Sequence, residues 1–212
     1  MKHPYHHLES VYWVFTQLCN DECDHCYNNS GPYGERISLE DCYKIIENLP
    51  PAMDRLILSG GEPLADRKKL YAILDRLEEK YQGQVELMLQ TNGDLLNAER
   101  LQTLIDKGIT RFDIASIDRY HKHAGNRLME LGELFEAAGV DGQDSDPLIE
   151  KDNYIKAKKL SWGYWGASED MWLGGNWARG RALEKHNWKR APKHNFCAIL
   201  SGARNLLGGY ED

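Results

Sequence analysis

Four short apolar runs, each ending in a turn signal and each followed by a helical pattern, constrain this chain more than any other feature. Val11–Thr16, Arg55–Ser59, Val85–Gln90 and Arg111–Ser116 have the length and the β-branched, aromatic or aliphatic content of strands. Between them, Leu39, Cys42, Ile45, Ile46 and Leu49 recur at helical spacing behind Ser38, an N-cap with Asp41 as a short capping-box acid. Lys69 to Tyr81 carries Leu70, Ile73, Leu74 and Leu77 on one face, and Gly108 stops a helix around Ala98 to Lys107. A further helix, roughly Leu128 to Ala138, closes at Gly139. Strand–helix alternation through short loops predicts an α/β fold with a parallel sheet covered by helices. An open doubly wound sheet and a barrel both satisfy that pattern.

The first predicted strand runs into Cys19-Asn20-Asp21-Glu22-Cys23-Asp24-His25-Cys26, a C-x-x-x-C-x-x-C spacing. Five cysteines with three in one polar loop fit metal or cluster ligation better than a disulfide framework. Three thiolates on one loop can hold three irons of a [4Fe–4S] cluster and leave the fourth iron open. A closed structural zinc site is the other reading, with His25 or the distant Cys197 as fourth ligand. The 26 basic and 33 acidic residues give a net charge of −7, which argues against a sequence-independent hold on nucleic acid. No apolar run is long enough to span a membrane, and Met1 to His7 has no secretory signal character, so a cytoplasmic location is expected.

Cys19, Cys23 and Cys26, with Tyr27 next, resemble the signature of the radical S-adenosylmethionine superfamily. Three more elements follow in that family's order, each at the end of a predicted strand. Ser59-Gly60-Gly61-Glu62-Pro63 resembles its Gly-Gly-Glu-Pro element, Gln90-Thr91-Asn92-Gly93 its Thr-Asn-Gly element, and Ser116-Ile117-Asp118 its Ser-x-Asp element. The resemblance covers roughly Val11 to Leu131 and implies a partial parallel (β/α) barrel with an irregular C-terminal extension.

It also implies a [4Fe–4S] cluster on the three cysteines, and S-adenosylmethionine bound by Tyr27, Ser59, Gly60, Gly61, Glu62, Asn92, Ser116, Asp118 and Arg127, with His25 against the adenine. His25 stands where the family usually has an aromatic residue. Glycines at 60 and 61 would let backbone groups approach a ligand, Glu62 could accept from an ammonium, and Arg127 would meet the ligand carboxylate. Asn92 could serve as a left-handed turn residue, and Asp24 and His25 could tune the cluster through hydrogen bonds. His121, His123, Glu169 and Asp170 are further polar candidates near a substrate.

Residues 1–140 read as the strand–helix core, 141–160 as an acidic and polar linker, and 161–212 as a tryptophan- and glycine-rich extension. Gly180-Arg181-Ala182, with Cys197 after it, resembles the start of a SPASM or twitch extension, in which Cys197 would be an auxiliary-cluster ligand. Trp162, Trp165, Trp172 and Trp177 read as aromatic cover, and Cys42 as a buried core thiol. The implied activity is reductive cleavage of S-adenosylmethionine, with hydrogen abstraction from a peptide or small-molecule substrate. A donor such as flavodoxin or ferredoxin would supply the electron. A compact radical activase, a 7-carboxy-7-deazaguanine synthase-like enzyme, and a non-catalytic zinc or iron–sulfur protein are the alternatives.

Overall fold

Alternation along the strands separates an apolar face, which meets helices, from a polar face, which meets a cavity. The computed structural model describes residues 7–117, 120–121, 126–142, 159–164 and 180–186. Its strands are β1 (Leu8–Val14), β2 (Met53–Ser59), β3 (Glu86–Thr91), β4 (Ile109–Ile114), β5 (Asp141–Gly142) and β6 (Ser161–Tyr164). They form one sheet in the order β1-β2-β3-β4-β6-β5, with every pairing parallel. Helices α1 (Leu39–Asn48), α2 (Arg67–Tyr81), α3 (Ala98–Asp106) and α4 (Arg127–Ala137) fill the crossovers, and a short helix α5 (Arg181–His186) comes last. The fold is α/β, a partial parallel barrel. Among the described residues, no helix is long and apolar enough to cross a membrane.

Trp13, Leu56, Leu58, Leu87, Leu89, Phe112, Ile114 and Trp162 project to the helical side and join one core with Ile46, Leu74, Leu104 and Phe135. Burying a side chain of that size stabilises the fold by about 1.5–3 kcal/mol. Cys42 is fully buried in that core, as a structural thiol should be. Local signals behave as the sequence predicts at α1, where the Ser38 hydroxyl accepts from Asp41 N at 3.0 Å. The other end of α1 lacks a basic residue in its last turn, and Lys80 of α2 supplies one, donating to Ile46 O and Leu49 O.

Two elements beyond Gly139 depart from expectation. β6 pairs with β4, so the sheet continues past the expected boundary at 140 and past the expected linker. Trp162 is not an exposed cover; it stacks on Phe135 at 4.7 Å between ring centres and is buried. Four residues with a central glycine give too little period to read, and a Cβ at Gly163 would lie 2.8 Å from the Arg111 guanidinium, which would have to shift to admit it. Residues 143–158, Trp165, Trp172, Trp177 and Cys197 lie outside the described residues.

On the opposite face, register places Arg55 beside Glu86, and Gln90 beside Asp113. Arg55 and Glu86 form a salt bridge with 4% and 2% of their surface exposed. Glu62 ties the strand ends together. Its Oε1 accepts from Leu64 N at 2.9 Å and the Thr91 hydroxyl at 2.7 Å, and its Oε2 accepts from Asn92 N at 2.8 Å. The carboxyl is fully buried, and desolvation pushes its pKa from 4.5 up to about 7 against those hydrogen bonds.

Replacing Glu86 with leucine leaves Arg55 buried without its carboxylate and should cost about 3–5 kcal/mol in urea unfolding. For Glu62, a raised folded pKa means a stability contribution fully present below pH 4.5 and lost as pH rises through about 7. The stability difference between the wild type and Glu62→Gln should therefore shrink from pH 5 to pH 8, by up to about 3 kcal/mol at roughly 1.4 kcal/mol per pKa unit. Urea titrations of both proteins across that range measure it.

Candidate functional site

The loop between β1 and α1 carries the three cysteines, and backbone hydrogen bonds hold it over the strand ends. Past the end of β2, Gly61 N donates to Thr16 O and Glu62 N to Leu18 O, both at 2.8 Å. This extends the β1–β2 pairing into the loop. A Cβ on Gly60 would lie 2.7 Å from Thr16 O, and one on Gly61 would lie 2.5 Å from Leu18 O. The close approach expected between these glycines and a ligand is thus also an approach to the chain's own backbone. Cys19 N donates to Gly31 O and Gly31 N to Gln17 O, closing the far side of the loop.

Cys19, Cys23 and Cys26 line one cavity together with His25, Tyr27, Ser59, Gly60, Gly61, Gln90, Asn92 and His121. None of the three is in a disulfide. Burial pushes the Cys19 thiol up to about 12, and burial followed by the Asp21 carboxylate pushes Cys23 higher still. Asp21 is itself buried and accepts from Cys23 Sγ at 3.4 Å. At neutral pH these two cysteines are therefore thiols, and a bound metal would have to displace their protons. Three soft donors brought together in one cavity by one loop fit a [4Fe–4S] cluster. Among the described residues, Cys23, His25 and His121 also bring ligand atoms within 4.8 Å of one another.

His25 is buried and packs edge-on against His121 at 4.7 Å, so its ring lies in the cavity wall. Tyr27 Oη meets Tyr12 Oη at 3.2 Å, and Tyr12 in turn reaches the Ser59 hydroxyl at 2.7 Å and Gln90 Oε1 at 2.5 Å. Gln90 Nε2 donates to Asp113 at 3.1 Å. Tyr12, Gln90 and Asp113 were not singled out by motif. Their signal is positional: each is a polar residue near the C-terminal end of a strand whose neighbours in sequence face the core.

Four of the expected ligand-binding residues have partners within the protein. Glu62 points inward, and both of its oxygens accept from protein donors instead of facing an ammonium. Arg127 pairs with Asp94 at 2.8 Å and reaches Asn92 O at 3.4 Å, beside the third strand's loop and not in the cavity wall. Ser116 donates to Asn92 O at 2.6 Å, which ties the fourth strand's end to the turn after the third. Asn92 is not left-handed, since that conformation belongs to Gly93 (φ 77°). Its side chain instead receives Asp94 N and donates to Asn20 at 3.0 Å, joining this turn to the cysteine loop. Asp118, His123, Glu169 and Asp170 lie outside the described residues.

Comparison with curated proteins returned no match. Among solved structures, BtrN in complex with AdoMet and 2-DOIA is 20% identical, with a TM-score of 0.43 over 77% of this chain and 58% of that one. His6-tagged anSMEcpe with bound AdoMet is 15% identical, with a TM-score of 0.48 over 77% of this chain and 52% of that one. Streptococcus suis SuiB bound to S-adenosylmethionine is 12% identical, with a TM-score of 0.40 over 80% and 52%. The chain therefore spans between about half and three-fifths of the length of these structures. The family model described as Radical SAM superfamily matches residues 13–134, more than half of the chain and all of the strand ends that carry the motifs. The chain belongs to the radical SAM superfamily, enzymes whose cofactors are a [4Fe–4S] cluster and S-adenosylmethionine.

Proposed function

We propose that Cys19, Cys23 and Cys26 hold the cluster and that the chain cleaves S-adenosylmethionine reductively to act on a peptide or small-molecule substrate. The observation that carries this reading is the common cavity, where the three thiols meet the ends of β2, β3 and β4. When bound, the cluster and S-adenosylmethionine supply an electron and a 5′-deoxyadenosyl radical able to remove a hydrogen atom.

The chain's own residues bind, orient and shield. Gly60 and Gly61 keep the strip beside the cysteine loop free of side chains, and His25 offers a ring face and edge to a purine. Tyr27, Ser59 and Gln90 line the cavity, held from behind by Tyr12 and Asp113, and a substrate with hydroxyl, amide or amine groups would find matching donors and acceptors there. Glu62 and Asn92 hold the loops that carry these groups, so their contribution is positional. A cytoplasmic location and an electron donor of the flavodoxin or ferredoxin type belong to the same proposal. Three thiols must stay reduced, and the cluster must be charged one electron at a time.

A second reading has one observation in its favour. Cys23, His25 and His121 form a compact donor set suited to zinc. Protein reconstituted anaerobically with iron and sulfide, reduced with dithionite and given S-adenosylmethionine should release 5′-deoxyadenosine, and Cys23→Ala should release none. Bound zinc without iron or sulfide, or a cluster that yields no product, would sink the enzymatic reading.

The thiol pKa values give a second test. Because Cys19 and Cys23 are protonated in the empty protein, each must lose a proton on loading, and cluster uptake should strengthen steadily from pH 6.5 to pH 8.5. Iron per chain at limiting iron, measured with proton release in weak buffer, follows both quantities. Uptake independent of pH would contradict the buried, neutral thiols.

A further inference from the structure

The cysteine loop has a partner that neither its motif nor the cavity explains. Gly180, Arg181 and Ala182 arrive from the far end of the described chain and lie along the loop's backbone. Arg181 Nε donates to Cys23 O at 3.0 Å, and Arg181 Nη2 donates to Ser30 O at 2.5 Å. Ala182 N donates to Cys26 O at 3.2 Å. Gly180 adopts φ 58°, and a Cβ on it would lie 2.7 Å from Tyr27 O, so the segment can come this close only with glycine there. Three carbonyls of one short span, including those of two cysteines, are thus satisfied by two consecutive residues more than 150 positions away.

Arg181 also lines the cavity shared by the three cysteines. A guanidinium there does two things at once. Its fork fixes the separation of Cys23 O and Ser30 O, and so the curvature of the loop between them. Its charge stands beside a site that becomes more negative when thiols give up protons and again when an electron is added. Lysine could keep the charge but not the two-pronged geometry.

We propose that Arg181 is a positioning residue of the cysteine loop, holding the Cys23–Ser30 span in its ligating shape and setting a fixed cation beside the cluster. The inference rests on the cluster reading above, but its first consequence concerns the empty protein. Any bearing of this segment on substrate is a separate matter.

The test uses the full chain as wild type, Arg181→Gln, Arg181→Lys and Gly180→Ala. In the empty protein, amide hydrogen exchange over residues 20–31 should quicken by at least about tenfold in the Gln and Ala variants, the expected scale for losing two or more part-buried hydrogen bonds. Exchange in β2 and β3 should stay at the wild-type level, which establishes that the barrel is folded. After reconstitution, the Gln variant should hold a cluster with a lower reduction potential than wild type. The Lys variant should stay nearer the wild-type potential while its loop exchanges faster, a split that simple structural damage would not produce. Unchanged loop exchange in both the Gln and Ala variants, or an unchanged potential in Gln, would overturn the proposal. A wild-type chain that takes up no cluster would sink the cofactor reading instead, and the exchange comparison would still decide the clamp.

Discussion

Two backbone hydrogen bonds, Gly61 N to Thr16 O and Glu62 N to Leu18 O, carry the sheet's order into a loop that has little structure of its own. A polar loop with three cysteines has no apolar face to bury, so its shape must come from its edges. Pairing with the end of β2 fixes one edge, and the Cys19–Gly31 and Gly31–Gln17 bonds close the other. Side chains on residues 60 and 61 would collide with the very carbonyls that accept these bonds. Removing them would detach the cysteines from the barrel before touching any ligand.

Around that anchor the strand ends are joined to one another mainly by backbone and short polar side chains. Glu62 binds the second strand's end to the third, Ser116 binds the fourth to the third, and Asn92 carries the chain of contacts back to Asn20 in the cysteine loop. Each of these residues lies within a motif that the family resemblance associates with a ligand. In this molecule the same atoms hold the rim together. That is economical chemistry, since a rim held rigid in the absence of ligand loses less entropy when a ligand binds. It also means that substitution at Glu62 or Ser116 would perturb several loops at once.

The sequence was legible where structure follows from neighbours. Strand runs, the Ser38 cap and the glycine stops at 108 and 139 all rest on local periodicity or conformation, and they appear within a few residues of where they were expected. The cysteine cavity was legible because four motifs fall at successive strand ends, and a parallel sheet brings those ends together. The Arg127–Asp94 pair was not legible, because it joins the start of α4 to the loop after β3, and no spacing rule reveals an ion pair between separate elements. β6 was invisible for a related reason. Its four residues acquire strand character by pairing with β4, some 50 positions earlier in register, and with the two residues of β5. Tyr12, Gln90 and Asp113 were overlooked because each looks ordinary alone; register pairs Gln90 with Asp113, and Tyr12, level with Ile57, reaches Gln90 diagonally across the sheet.

The Gly180–Ala182 contact lies at the far end of this scale. Closing a loop of roughly 150 residues adds little entropy beyond closing one of half that length, because the cost grows only with the logarithm of length. Distance along the chain is therefore no obstacle to so small a contact, provided the intervening barrel is already folded. β6 supplies that condition by bringing the chain back into the sheet beside β4, well before residue 180 is reached. The segment then needs only to satisfy three carbonyls of a loop already anchored at its other edges. In this order of dependence the barrel organises the loop, and the returning segment refines it. A cysteine loop held from both sides keeps its thiols converged while they are still protonated, which is the state in which metal must first meet them.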